Sequence, residues 1–340
     1  MPTRVALDAM GGDDAPAVVV DGAVRAARRD PSALQILLVG REAEVKALLA
    51  EHDAGGLPIA VVDAPEVIGM DEAPATALKG KPRSSIHVGI GMVKLGKADA
   101  FCSAGNTGAV MAAATVALGR LPGVLRPAMP SHYPSVKGGI FLLDVGANVD
   151  SRPEQLVQFA QMGRIFAERI MGRDRATVGL LNVGEEKSKG NEAAKATYAQ
   201  LAALAEADDF PFVGNVEGRD VLHHAADVVV CDGFVGNIVL KLGESLTTVL
   251  PALFKQAAGE MQLGAEEAGL VKRVLGQMMA PFDYERYGGV PLLGVDGAVV
   301  IGHGGSSAKA IEQMVLAAAR VHDQDVKGHI AAALGGEAVA

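Results

Sequence analysis

The stretch ADAFCSAGNTGAVMAAATVALG, residues 98–119, decides the fold. An apolar run ends at Ser103, the chain turns through Gly105-Asn106-Thr107-Gly108, and an Ala-rich pattern with helical spacing follows. A short strand without polar alternation is buried on both faces, and a helix directly behind it is the crossover to a parallel neighbour. The same rhythm recurs on either side. TRVALDA (3–9) precedes MGGDDAP and the helical AVVVDGAVRAARR, and ALQILLVG (33–40) precedes REAEVKALLAEH, with PIAVVDAP (58–65) after it. Further along come GGIFLLDVGANVD (138–150), TVGLLNVGEEKSKG (177–190), ADVVVCDGFVGN (226–237) and GAVVIGHGGSS (297–307), each followed by a helical pattern. The chain reads as a mainly parallel, doubly wound, Rossmann-like α/β sheet.

Composition narrows the function classes. The 340 residues carry a formal charge of -9, no Trp and 4% aromatic residues, so neither a cationic footprint nor a base-stacking surface is present and nucleic acid is not an expected partner. Cys102 and Cys231 form no C-x-x-C pair, which fits a reducing compartment. No segment has the roughly 20 apolar residues a bilayer span needs, and MPTRVALDAMGGDD lacks the features of a signal peptide, so a cytoplasmic location is expected.

One segment breaks the rhythm. Leu242, Leu246, Val249, Leu250, Leu253, Phe254, Ala257 and Met261 follow helical spacing, and Leu270, Val271, Val274, Leu275, Met278 and Met279 resume it beyond Gly264. This predicts an amphipathic helical hairpin over 236–287, interrupting one discontinuous α/β core over 1–235 and 288–330. Its apolar stripe suits burial against the core or a partner subunit, and Lys255, Lys272 and Arg273 also suit a membrane surface.

In a parallel sheet the strand-to-helix loops share one edge, where ligands bind, so the loops are expected to converge on one cleft. Asn106, Asn191, Asn237 and Ser306 stand where helix N-caps are wanted, which would turn free N–H groups toward an anion. Gly11, Gly12, Gly105 and Gly108 allow close backbone approach. Lys187 and Lys189 in GEEKSKG offer cations; taken alone such a pair is more often a solvated turn, and its position just after a strand is what raises the functional reading. Asp8, Asp13, Asp144 and Asp232 end strands, where they either cap loops or take part in acid/base or positioning work. His303 follows a strand and opens a helix, whereas His223 and His224 read as surface residues. Cys102 reads as a small buried strand residue. The segment GMVKLGKA (91–98) imitates a phosphate loop, but it ends in Ala98 and lies between a helix and a strand, the reverse of the required order. No histidine spacing suggests a metal site.

Together the loops resemble one family, the phosphate acyltransferases of bacterial phospholipid synthesis. The resemblance rests on DAMGGD (8–13), MDEAP (70–74), SAGNTGA (103–109), RPA (126–128), LDVGANVD (143–150), LVQFAQMG (156–163), LLNVGEEKSKG (180–190), CDGFVGNIVLK (231–241), YGGVPLLGVDG (287–297) and HGGSS (303–307). It implies a fold of the phosphotransacetylase/isocitrate dehydrogenase type and conversion of acyl-acyl carrier protein and inorganic phosphate to acyl phosphate, with no cofactor and no metal. The catalytic residues it suggests are Asp8, Asn106, Lys187, Asp232 and His303. Substrate binding would fall to Gly11, Gly12, Asp13, Ser103, Gly105, Thr107 and Gly108 in the early loops, and to Asn148, Lys189, Asn191, Asn237, Lys241 and Ser306 in the later ones. Also implied are a homodimer, peripheral membrane attachment through the hairpin, and delivery of the product to a membrane glycerol-3-phosphate acyltransferase. The acidic carrier protein would need a local basic patch, for which Lys79, Lys81 and Arg83, or Lys272 and Arg273, are the candidates. A phosphotransacetylase-type enzyme acting on acyl coenzyme A, or a non-catalytic membrane scaffold, are the alternatives.

Overall fold

The computed structural model describes residues 1–335. These divide into two compact units: Met1–Pro130 with Gln161–Arg175 and the chain from Glu285 onward, and Ser131–Ala160 with Ala176–Tyr284.

The first unit opens with β1 (Thr3–Asp8), α1 (Ala17–Arg29), β2 (Leu34–Gly40), α2 (Glu42–Glu51) and β3 (Ile59–Asp63). It continues through α3 (Pro74–Gly80), α4 (Ser85–Lys94), β4 (Ala100–Ser103) and α5 (Thr107–Ala117). The second unit holds β5 (Ser131–Ser135) and β6 (Gly138–Leu143), and residues of α6 (Pro153–Met171) fall in both units. The second unit then runs through β7 (Val178–Asn182), α7 (Glu192–Asp208), β8 (Phe212–Glu217), α8 (Gly218–Val221) and β9 (Val228–Val230) to the long α9 (Gly233–Glu260) and α10 (Ala265–Met279). Back in the first unit come β10 (Val290–Pro291), β11 (Ala298–Ile301), α11 (Ala308–Asp323) and α12 (Val326–Leu334).

Among the described residues there are two sheets rather than one. The first has the order β10-β11-β4-β1-β2-β3 and is parallel except for β10, and the second has the order β5-β6-β9-β7-β8 and is parallel except for β5. The expected boundaries, 1–235 with 288–330 against 236–287, therefore differ from the observed division. Parallel βα units carry the same local pattern whichever sheet they join, so the break between sheets leaves no periodic trace.

The strands are apolar because helices cover them. Val5, Ala6, Leu7, Ile36, Leu38, Val39, Phe101 and Cys102 are all fully buried. Small residues set how closely the covering helices approach. A Cβ built at Gly22 of α1 would lie 2.5 Å from the Ile311 Cβ of α11, so only glycine permits that crossing. Ser84 caps α4 through its hydroxyl, Ser307 caps α11, and Asn106 and Asn191 cap α5 and α7.

Two consecutive helices, α9 and α10, occupy the segment expected as a hairpin, with Gly264 as the N-cap of the second, and the first starts at Gly233, directly behind β9. Few of their residues are buried: Gly233, Gly236 and Gly243 in α9, and Leu275 in α10. Their stripe faces outward, with Leu242 at 65% and Met261 at 71% exposure, and Leu253, Phe254, Leu270, Val274 and Met278 also exposed. Among the described residues, no helix is long and apolar enough to cross a membrane.

Candidate active site

In the first unit β11, β4 and β1 are neighbours, so the loops after Ile301, Ser103 and Asp8 leave the sheet side by side. Asp8 is 1% exposed and organises this edge. Its Oδ1 accepts from the Met10 backbone N–H at 3.0 Å, and its Oδ2 accepts from Ser103 Oγ at 2.7 Å. Ser103 Oγ in turn accepts from the Gly105 N–H at 3.0 Å. Burial raises the Asp8 carboxyl above the usual range, opposed by hydrogen bonds from Ser85, Ser103, Met10 and Gly11. Two loops are thereby tied at one carboxylate, and their glycines abut. A Cβ at Gly11 would fall 2.6 Å from Asp8 Oδ2 and 2.7 Å from the Gly105 nitrogen. Gly12 has φ +123°, and the Asp13 N–H donates to the Gly304 carbonyl at 2.9 Å, joining the β1 loop to HGGSS.

Asn106 works with both ends of its amide. Oδ1 accepts from the Ala109 N–H at 3.0 Å, capping α5, while Nδ2 reaches the carbonyls of Gly69, Met70 and Glu72 at 3.1, 3.2 and 2.9 Å. MDEAP is thus fastened to the start of α5, and Pro74 packs where a side chain at Gly108 would stand. Glu72 braces the same loop by accepting from the Gly69 N–H and pairing with Lys81, contacts that hold its carboxyl below the usual range.

The second unit repeats the device. Asp144 follows β6, is fully buried, and accepts from the Ala147 N–H (3.2 Å), the Asn148 N–H (2.6 Å) and Asn148 Nδ2 (3.0 Å). Asp232 caps α9 through the Val235 N–H at 2.8 Å, and the Gly233 N–H donates to the Asn148 carbonyl at 2.7 Å. A Cβ at Gly236 would overlap the Asp144 carbonyl, which accounts for the glycines at the start of α9.

The loop between β7 and α7 carries the two lysines. Lys187 is exposed, and no ion pair or hydrogen bond of its side chain occurs among the described residues. Lys189 is also exposed, but its stem folds back over Gly184 and its Nζ lies 4.0 Å from Glu186. Asn191 Oδ1 accepts from the Ala194 N–H at 2.8 Å. The N–H groups of Glu192 and Ala193, in the first turn of α7, have no intrahelical partner and carry the positive end of the helix dipole.

A profile described as "Fatty acid synthesis protein" matches residues 3–329. Over 325 residues, 95% of either chain, the sequence is 49% identical to a phosphate acyltransferase of Salinibacter ruber. It is 48% identical over 335 residues to one of Chlorobaculum parvum, covering 97% of this chain and 98% of that one. The chain belongs to the phosphate acyltransferase family. It is accordingly an acyltransferase enzyme. Solved structures place its fold among phosphotransacetylases: one from Streptococcus pyogenes superposes with a TM-score of 0.65 at 18% identity, covering 95% of both chains. A branched-chain phosphotransacylase from Enterococcus faecalis superposes with 0.57 at 14%, covering 94% of this chain and 99% of that one.

Set against this phosphate acyltransferase framework, several residues do other work than their position suggested. Asn237 does not cap a helix, because α9 begins four residues earlier and Asp232 is its cap; Asn237 lies exposed in the first turns, alongside Gly146. Ser306 does not cap α11 either: Ser307 does, while Ser306 Oγ donates to the His303 carbonyl at 2.6 Å. Ser103 and Asp8 are spent on each other and on backbone groups, and both Nδ2 hydrogens of Asn106 are spent on MDEAP. All three position loops. Lys241 pairs with Glu244 at 2.8 Å. His303 Nδ1 accepts from the Gly305 N–H at 3.1 Å, so in the neutral ring the proton sits on Nε2. His223 is exposed as expected, but His224 is half-buried, with Nδ1 2.7 Å from Ser135 Oγ and Nε2 3.3 Å from Asp227 Oδ1. The expected basic patch is largely neutralised, since Lys81 pairs with Glu72 and Arg83 with Asp63 at 3.3 Å, leaving Lys79 exposed.

Sequence reasoning missed Ser85, Glu72, Asn182 and Asn215. Asn182 carried a signal, a polar residue closing an apolar run as Asp8 and Asp144 do. Asn215 carried none, because its strand was not expected.

Proposed function

We propose that this enzyme transfers a long-chain acyl group from the thioester of an acyl carrier protein to inorganic phosphate, for phospholipid synthesis. The observation that carries the reading is the 184–191 loop, where exposed Lys187 precedes the Asn191-capped start of α7 by four residues, a pairing of cation and helix N-terminus on one loop suited to a phosphate dianion. A phosphate oxygen attacks the thioester carbonyl, the C–S bond breaks, and the carrier thiol leaves with a proton from phosphate while the acyl phosphate forms. Phosphate is itself the nucleophile, so no covalent enzyme intermediate is needed. The protein's contribution is positioning and stabilisation of the tetrahedral oxyanion.

The hairpin supports the lipid side of the reading. Its exposed Leu, Phe and Met stripe suits a second copy of the chain along the arms and a membrane surface at the tip, from which the product would pass to a membrane glycerol-3-phosphate acyltransferase. Lys272 and Arg273, both exposed on α10, suit the acidic carrier protein better than Lys81 and Arg83, which are already paired.

The test is thiol release from palmitoyl-acyl carrier protein with and without phosphate, with hydroxylamine trapping of the product. Phosphate-dependent release and a trappable acyl phosphate are expected. Release without phosphate dependence would refute the reaction, and turnover of acetyl coenzyme A in preference to the long-chain carrier substrate would move the enzyme to phosphotransacetylase chemistry.

A further inference from the structure

We infer that Asn182 and Asn215 are positioning residues for phosphate, acting through the backbone of the loop that carries Lys187. The inference rests on the reading that Lys187 binds that anion. Asn215 lies in β8, 9% exposed, and its Nδ2 donates to the carbonyls of Glu185 and Glu186 at 3.4 and 3.0 Å. Its Oδ1 accepts from Asn182 Nδ2 at 3.1 Å, and that same Nδ2 reaches the Lys189 carbonyl at 3.2 Å. Asn182 Oδ1 accepts from the Val183 N–H at 2.8 Å. Two side-chain amides on adjacent strands, 33 residues apart in sequence, thus hold the two carbonyls immediately before Lys187 and one just after it. Gly190, at φ +90°, lets the chain return across the pair, since a Cβ there would fall 2.5 Å from Asn182 Oδ1.

A lysine on a loose loop loses conformational freedom when it captures an anion, and that loss subtracts from affinity. Anchoring the backbone on both sides of Lys187 removes much of it beforehand. Burial of the Asn215 amide beside apolar Leu180, its partner on β7, is costly unless each hydrogen bond is made. Here the bonds made are to the loop, which the sheet itself does not require.

The phosphate dependence of thiol release, at saturating palmitoyl-acyl carrier protein, tests this. Asn215→Ala and Asn182→Ala should each raise the phosphate KM by about tenfold while kcat changes by less than about twofold, as expected when a hydrogen bond that organises a binding loop is lost. The KM for the carrier substrate should not move, and the double variant should be little worse than either single one, because both act through one loop. Asn215→Asp should not rescue, as it lacks the N–H donors. Lys187→Ala serves as the reference. If it raises the phosphate KM and the asparagine variants leave it unchanged, the inference is overturned while the phosphate role of Lys187 stands. If Lys187→Ala leaves the phosphate KM unchanged, both fall. Asn182 is half-exposed, so Asn182→Ala carries the same comparison should Asn215→Ala not fold.

Discussion

Asn106 does two jobs with one amide, and replacing it separates them. In Asn106→Ala the α5 cap is lost, at about 1 kcal/mol, together with both Nδ2 donors to the 69–72 carbonyls, at about 1 kcal/mol each. The expected cost is about 3 kcal/mol, which for a domain the size of the first unit corresponds to a fall in Tm of roughly 6–12 °C. Asn106→Ser keeps a capping oxygen and loses only the tether to MDEAP, so its cost should be about 2 kcal/mol. Asn106→Asp also caps, and its charge suits the helix dipole, but it sets a carboxylate against the carbonyls of Gly69, Met70 and Glu72 and should be less stable than the serine variant. Thermal and urea unfolding followed by circular dichroism give the order, and amide hydrogen exchange over residues 69–74 reports the tether directly. Exchange there should rise in all three variants. If Asn106→Ala and Asn106→Ser melt within about 2 °C of the parent protein, or exchange over 69–74 is unchanged, the two-sided role is wrong.

Three further outcomes are expected. Gly236→Ala places a Cβ onto the Asp144 carbonyl, so it should destabilise the second unit by more than about 3 kcal/mol, seen as loss of soluble protein or a lowered melting transition; a parent-like melt would show that α9 can shift away from that carbonyl. Burial pushes the His132 imidazole down to about 4. A base whose folded pKa lies below its unfolded value contributes fully above about pH 6.5 and loses that contribution as pH falls toward about 4, by at most about 3 kcal/mol; His132→Gln should flatten this part of the urea stability profile. Replacing exposed Leu253 and Phe254 with glutamate should release the enzyme from anionic phospholipid vesicles in a sedimentation assay, and unchanged sedimentation would remove the hairpin tip from membrane attachment.

Much of the architecture was legible because burial on both faces writes itself into local sequence. The runs around Val5–Leu7, Ile36–Val39, Phe101–Cys102, Ile140–Leu143 and Val228–Val230 are apolar without alternation, and each is a buried strand. Gly264 marked the break between α9 and α10, and Asn106 and Asn191 marked two helix starts. Strands β5, β8 and β10 were not legible. β5 carries His132 and Pro134 and pairs antiparallel only along β6, β10 has two residues, and β8 is interrupted by Gly214 at φ +99°. One-residue ambiguities at helix starts also misled: Ser306 and Ser307 are equally good caps by type, and backbone geometry chose the second.

By itself, then, the sequence determined the parallel α/β class, the strand-end placement of the glycine, asparagine and lysine loops, the two consecutive amphipathic helices and the family. All of these depend on residue type and spacing within a dozen or so neighbours. The tertiary structure decided that the strands form two sheets and that Asp8 and Ser103, 95 residues apart, share one buried hydrogen bond. It also decided that Lys81 and Arg83 are spent on carboxylates while Lys187 is not, and that Asn215 meets Asn182. Which polar group satisfies which buried partner is settled by packing across long stretches of chain, and local periodicity carries no record of it.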